Sequence, residues 1–313
     1  MNPDGKVVYI VKTPVFTLGA SLLLMLSMAA GLQAQTLYIV SNGGGTIGTY
    51  ALSGTPINAN LISGLNYPGD LAISGDDLFV AQNGSSSIGE YTAAGGTVNN
   101  SLISAGLNSP EGIAISGNSL FVANYAGNSI AEYTTAGATV TASFVTGLNS
   151  PTGLAISGTN LFVANYGIGT IGEVTTGGAT INGDLISGLD GTFGFAISGD
   201  DLFVANWVSG TIGEYTTSGV TINAALITGL GLDEPVYLAI SGTNLYVANL
   251  NAGTIGEYTT AGDTVNAELI SGLNRPEGLV IEPAPEPDTL ALAGMGALAL
   301  LGFSRKQRWL KFR

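Results

Sequence analysis

Asp70, Glu111 and Glu277 each stand just ahead of a copy of one short apolar motif, and they are the carboxylates best placed to do chemistry. Three carboxylates brought together could hold calcium, which takes six to eight oxygen ligands. A pair held about 5–10 Å apart could act on a glycosidic bond. Three further copies of the motif carry Thr152, Phe193 and Tyr237 at the same approach. A second series follows the recurring run L-F-V-A-N: Tyr125, Tyr166, Trp207 and Leu250, with Asn83 and Asn42 in the two earlier copies. Aromatic rings beside amides and acids suit a sugar, whose apolar face stacks while its hydroxyls are fixed by polar groups.

Other chemistries are closed. The chain has no histidine and no cysteine. Ser-His-Asp triads, thiol nucleophiles, the usual zinc sites and haem ligation are therefore excluded. No lysine occurs between residues 36 and 282, which removes Schiff-base catalysis as well. No residue is singled out as catalytic.

The elements that position these side chains come from a repeat. Ile47, Ile88, Ile130, Ile171, Ile212 and Ile255 mark six copies of T-I-G-E-Y-like sequence, spaced 41, 42, 41, 41 and 43 residues apart. One unit contains four strand-like runs, Gly112 to Ser116, Leu120 to Asn124, Ser129 to Thr134 and Thr139 to Val145, separated by Gly/Asn/Ser/Thr turns. Four short strands in about 40 residues are the signature of a propeller blade. The repeat opens on a second strand, Thr36 to Val40, and closes on a lone first strand, Gly278 to Ile281. Pairing those two predicts an all-β, six-bladed β-propeller of four-stranded blades over residues 36–282, with the ring closed by strands from both ends. An open β-solenoid is the structural alternative, but its coils are usually shorter and the phase offset argues against it.

The run Asn149-Ser150-Pro151-Thr152-Gly153-Leu154-Ala155-Ile156, followed by Leu161-Phe162-Val163-Ala164-Asn165, resembles NHL-type and YVTN-type bacterial propeller repeats. The resemblance implies the fold and leaves the activity open, because propellers host enzymes, binders and scaffolds alike. In such a ring, the loop into the innermost strand and the loop between second and third strands open on one face. An acidic sector (Glu277, Asp70, Glu111) is therefore expected opposite an aromatic one (Tyr125, Tyr166, Trp207, Phe193, Tyr237), with Ca2+ as the candidate ion of the acids. Two regular series read as architecture. Glu90, Glu132, Glu173, Glu214 and Glu257 fall on third strands toward the rim, as solvated or inter-strand hydrogen-bonding positions. Asn124, Asn165, Asn206 and Asn249, with Gln82 and Ser41, end second strands as turn residues.

Both ends of the chain read as addresses. Residues 1–34 are expected to be a signal peptide: Lys6 and Lys12 precede the largely apolar Val15 to Ala30, and Leu32-Gln33-Ala34 is a cleavage site before Gln35. Residues 283–288 form a Pro-rich linker. Residues 289–313 combine an apolar stretch, Leu290 to Phe303, expected to be a helix, with a basic tail containing Arg305, Lys306 and Arg308. Pro285-Glu286-Pro287, the short hydrophobic segment and the basic end resemble a PEP-CTERM sorting signal. That resemblance implies processing by an exosortase-type membrane protease, often alongside exopolysaccharide production. Seven of the eight basic residues lie in these end segments, while Arg275 alone faces nineteen carboxylates within residues 36–282, a net charge of −18. Such a body repels nucleic-acid phosphates, and contact with the membrane is expected only through the terminal segments.

The expected protein is thus exported to the bacterial envelope or beyond it. It is expected to be a non-enzymatic binding or structural module, with exopolysaccharide or an envelope protein as partner. The competing class is a metal-dependent sugar-lactone hydrolase or a carboxylate glycosidase on the same ring. Gluconolactonase-like propellers share the blade number, but the motif match does not reach their site residues.

Overall fold

Every second strand in this chain has apolar residues on both of its sides, and that pattern is what closes the ring. The computed structural model describes residues 35–229 and 231–282. The expected signal peptide, linker and sorting helix lie outside those residues. The described chain forms six four-stranded antiparallel sheets. In chain order, blade I spans residues 68–103, II 110–146, III 151–186, IV 192–228 and V 235–270. Blade VI takes its innermost strand, Pro276–Ile281, from the C-terminal end and its other three, Thr36–Ser41, Thr46–Ala51 and Pro56–Ser63, from the N-terminal end. Tyr38 pairs with Val280 and Ile39 with Leu279 across that junction. The ring is zipped between the two ends of the repeat, as the phase offset requires.

In blade II the innermost strand, Pro110–Ser116, pairs with Ser119–Asn124 through Ile113 opposite Val122 and Ala114 opposite Phe121. Alternate side chains of Ser119–Asn124 point to opposite faces. Leu120 and Val122 pack with Phe79 and Ala81 of blade I, while Phe121 and Ala123 pack with Leu161 and Val163 of blade III. The same exchange recurs at the other four junctions, including Leu37 and Ile39 of blade VI against Tyr246 and Ala248 of blade V. The core is therefore six equivalent interfaces rather than one central mass.

The outermost strands are exposed, and each is joined to its neighbour through register shifts around the conserved-in-repeat glutamate position, as at Ile130/Glu132 and Glu132/Tyr133. The same shift occurs in all six blades. Such bulges bend an edge away from the flat geometry that invites strand addition.

Phe162 is 1 % exposed at the junction of blades III and IV. Phe162→Ala is expected to destabilise the protein by about 3–5 kcal/mol. Ile57, 62 % exposed on an outer strand, should change stability by no more than about 0.5 kcal/mol when replaced by Ala. Denaturant unfolding of both variants checks this; equal, small effects would show that the inter-blade faces are not the core.

Candidate functional site

Six innermost strands converge on the axis, and crowding there decides which side chains can be carried. Aligned on their registers, the approach residues fall on two successive positions. Gly69, Glu111, Thr152, Phe193, Val236 and Glu277 occupy the first, and Asp70, Gly112, Gly153, Gly194, Tyr237 and Gly278 the second. At the second position glycine is the rule for steric reasons. A Cβ on Gly153 would lie 2.8 Å from the Phe193 carbonyl oxygen, and one on Gly194 2.6 Å from that of Val236. Asp70 and Tyr237 are the two breaks. They stand one residue later than Glu111 and Glu277, an offset that the sequence alignment on loop composition merged.

The loops that frame the axis are set by one repeated hydrogen bond. The residue before each inner strand adopts the left-handed backbone conformation: Tyr67 (φ 47°), Ser109 (51°), Ser150 (49°), Glu234 (57°) and Arg275 (53°), with Gly191 (70°) in blade IV. Its carbonyl accepts the amide of the residue that follows the second strand, as in Asn83 to Tyr67 at 3.0 Å and Tyr125 to Ser109 at 3.1 Å. All six blades make this bond. It brings the two loops together on one face. The asparagines that end the second strands brace the same junction: Asn124 Oδ1 accepts the Asn108 amide at 3.0 Å, and Gln82 Oε1 the Asn66 amide at 3.1 Å.

The face so formed is divided. Tyr125 and Tyr166 have ring centroids 6.3 Å apart, Tyr166 and Trp207 6.1 Å, Tyr166 and Phe193 5.8 Å, and Phe193 and Tyr237 5.8 Å. The five rings form one continuous chain. Beside it lies a cavity of about 400 Å³, lined by Asn42, Tyr67, Asn83, Gly84, Glu111, Tyr125, Phe193, Arg275 and Glu277. Tyr67 and Arg275 were not among the residues singled out from the sequence. Both precede an inner-strand proline, where the left-handed backbone turns them toward the mouth, and that conformation was not legible from residue type. A second cavity of about 270 Å³ is lined by the innermost strands of all six blades, with Asp70, Tyr237 and aliphatic side chains such as Ile73, Ile115 and Ile156.

The three acids differ in their partners. Asp70 Oδ1 accepts the Leu71 amide at 2.8 Å, and Oδ2 the Ile113 amide of blade II at 3.2 Å, so its carboxyl clamps two blades. Glu111 Oε2 accepts the Asn83 side-chain amide at 2.9 Å. Glu277 Oε2 is buried with no hydrogen-bond partner, as are the Tyr237 hydroxyl and Trp207 Nε1. Among the described residues, no three acidic side chains are grouped as a metal-ion ligand set. Calcium, the candidate ion, would have to draw on carbonyl and amide oxygens in addition.

Burial governs the charge of these acids. Loss of solvent raises Asp70 to about 7, against the pull of its two backbone amides. Burial likewise raises Glu111 to about 7, opposed by Asn83. Glu277 is pushed well above the usual carboxylate range by burial and then by Glu111, with Asn42 and Arg275 pulling back. Tyr237 is raised by burial and by all three acids. The glutamates of the third strands are not solvated rim positions, since Glu173 and Glu257 are buried and the other three half-buried, and three of the five make inter-strand hydrogen bonds. Ser119 donates to Glu132 at 2.8 Å, Asn160 to Glu173 at 2.6 Å and Asn244 to Glu257 at 2.7 Å. In blades I and IV the cross-strand neighbour is Asp77 or Asp201; burial and then that like charge raise Glu90 and Glu214.

Comparison with known proteins adds two things. Residues 283–306 match the family model described as the PEP-CTERM protein-sorting motif. The protein is therefore exported and carries a C-terminal sorting signal of the exosortase system, with an envelope or extracellular destination. The propeller is similar in fold to a chain of a nidogen/laminin complex, at 17 % identity and TM-score 0.64, covering 79 % of this chain and 98 % of that one. It is also similar to a virginiamycin B lyase from Staphylococcus aureus, at 20 % identity and TM-score 0.59, covering 80 % and 93 %. A streptogramin B lyase matches at 18 % identity and TM-score 0.60, covering 79 % and 86 %. No curated protein matches the chain.

A carboxyl whose folded-state pKa is raised is penalised once ionised. Its cost is absent below the unfolded value near 4, grows as pH rises to about 7 for Asp70 and Glu111 and is constant above it, while the more strongly raised Glu277 continues to contribute at higher pH. The melting temperature should therefore fall between pH 5 and pH 8, and Glu277→Gln should flatten that fall. A melting temperature that rises over this range would mean that the axial carboxyls are paired and not desolvated.

Proposed function

We propose that this exported propeller is a polysaccharide-binding module of the cell surface or extracellular matrix, with its ligand on the mouth face. The observation that carries the reading is the unbroken chain of five rings beside a cavity walled by Asn42, Asn83, Glu111, Glu277 and Arg275. The half-buried Tyr125, Tyr166, Phe193 and Trp207 supply stacking area for pyranose faces, with the buried Tyr237 packed behind them, and amides and carboxyl groups fix hydroxyl orientation. The cavity volume lies within the range of small-molecule sites. An exosortase-type protease is the processing partner. The mature chain would begin near Gln35 and end before Leu290.

The enzyme reading has less support. A metal-dependent lactone hydrolase or a glycosidase would use Glu277, Asp70 and Glu111, yet both oxygens of Asp70 are held by backbone amides that also fix the ring. One structural relative is a lyase inactivated by a histidine-to-alanine change. This chain contains no histidine, so that chemistry does not transfer.

Two measurements bear on this. On a glycan array, run with calcium and with chelator, Tyr125→Ala or Trp207→Ala should weaken binding by about 1 kcal/mol, the worth of one stacked ring. Unchanged affinity in both variants would remove the aromatic sector as the site. Mass spectrometry of envelope fractions should find termini near Gln35 and before Leu290; a chain intact at both ends would contradict processing.

A further inference from the structure

Glu111 and Glu277 line one cavity and are only 6 % and 7 % exposed. Arg275 is the one basic residue of the ring and lines the same cavity, so two carboxyl groups and one cation share it. Glu277 Oε2 has no partner. The Tyr237 hydroxyl, also buried without a partner, belongs to the axial cavity that Asp70 lines. Buried polar atoms in folded proteins are nearly always satisfied, and the orphaned Glu277 oxygen in this cavity wall marks a missing ligand atom.

The chemistry of that atom can be narrowed. Burial holds both acids toward their neutral form, and a neutral sugar brings hydroxyls but nothing that would favour the ionised form of either. A uronate would bring a third negative charge to a body of net charge −18. A bare calcium ion requires six to eight oxygens, and no third acid joins Glu111 and Glu277 in the cavity wall. An ammonium group is compact, carries three N–H donors and no acceptor, and can bridge two carboxylates at once. Tyr125 on the cavity wall adds a ring face for the same cation or for the sugar that bears it.

We propose that the mouth cavity takes a sugar unit with a free amine, its ammonium held between Glu111 and Glu277 and its apolar face on Tyr125. The preferred ligand is then a de-N-acetylated amino-sugar polysaccharide. This rests on the polysaccharide reading and specifies its substrate class. The negative field of the whole ring draws such a polycation toward the mouth and makes association salt-sensitive.

The test is calorimetric titration of the purified protein, at neutral pH and low salt, with glucosamine oligomers, the same oligomers fully N-acetylated, a uronate oligomer and calcium chloride alone. The free-amine oligomers should bind at least about tenfold more tightly than the acetylated ones, the worth of one charge-assisted contact. Glu277→Gln should reduce that preference to about threefold or less. Arg275→Gln, at an exposed position, should strengthen free-amine binding by removing the competing cation, and it guards against a Glu277 variant that fails to fold. Equal binding of acetylated and free-amine oligomers would overturn the amine assignment while leaving the polysaccharide reading standing. Tighter binding of the uronate, or of calcium without any amine, would overturn it in favour of those ligands. Binding of no glycan at all would end both readings.

Discussion

Both faces of every sheet in this protein have to be covered by another sheet. The second strand of blades I to V turns a leucine and a valine to one side and an aromatic residue and an alanine to the other, and blade VI turns Leu37 and Ile39 to one side and Tyr38 and Val40 to the other. A lone blade would expose both faces. An open stack would still expose one at each end, so the apolar pattern is satisfied only by a ring. Closure is achieved by pairing the C-terminal strand, Pro276–Ile281, with the N-terminal strand, Thr36–Ser41. The first and last parts of the repeat are thereby made interdependent, although some 240 residues of chain separate Ile39 from its partner Leu279.

Closure has a consequence at the axis. Six inner strands meet where there is little room, and glycine takes the position at which a Cβ would strike the next blade. Wherever a larger or charged side chain stands near that position it is desolvated. Asp70 answers with two backbone amides from adjacent blades, and Glu111 with the Asn83 amide. Glu277 has a free oxygen and is the least compensated of the three. The acids are thus held by the fold at a free-energy cost, and such uncompensated groups concentrate where a protein meets a ligand.

The division of the mouth face follows from which blade supplies which residue after its second strand. Blades VI and I supply Asn42 and Asn83, which lie beside the acids; blades II, III and IV supply Tyr125, Tyr166 and Trp207, which touch one another. The sixfold scaffold is most unlike itself here and in the approach to the inner strand. Export, sorting and an acidic, nearly base-free body suit a protein that works outside the cell, where solubility is maintained by charge.

The sequence by itself determined the fold, the blade count and the phase of closure, because a period near 41 residues and alternating apolar strands admit few other solutions. It also placed Glu132, Glu173 and Glu257 correctly as inter-strand partners, since residue type and strand position suffice for a local hydrogen bond. The address at residues 283–306 was equally legible, being a linear signal. Tertiary structure decided what residue type could not express. Asp70 and Tyr237 lie one position out of step with Glu111 and Glu277, an offset that counting from Pro68, Pro110, Pro235 and Pro276 also gives and whose steric meaning comes from the strand register at the axis. Tyr67 and Arg275 reach the cavity because the backbone before each inner strand is left-handed, a conformation imposed by a hydrogen bond between loops of different strands. Which polar atoms are left without partners depends on distances across blades, and those are set by closing the ring.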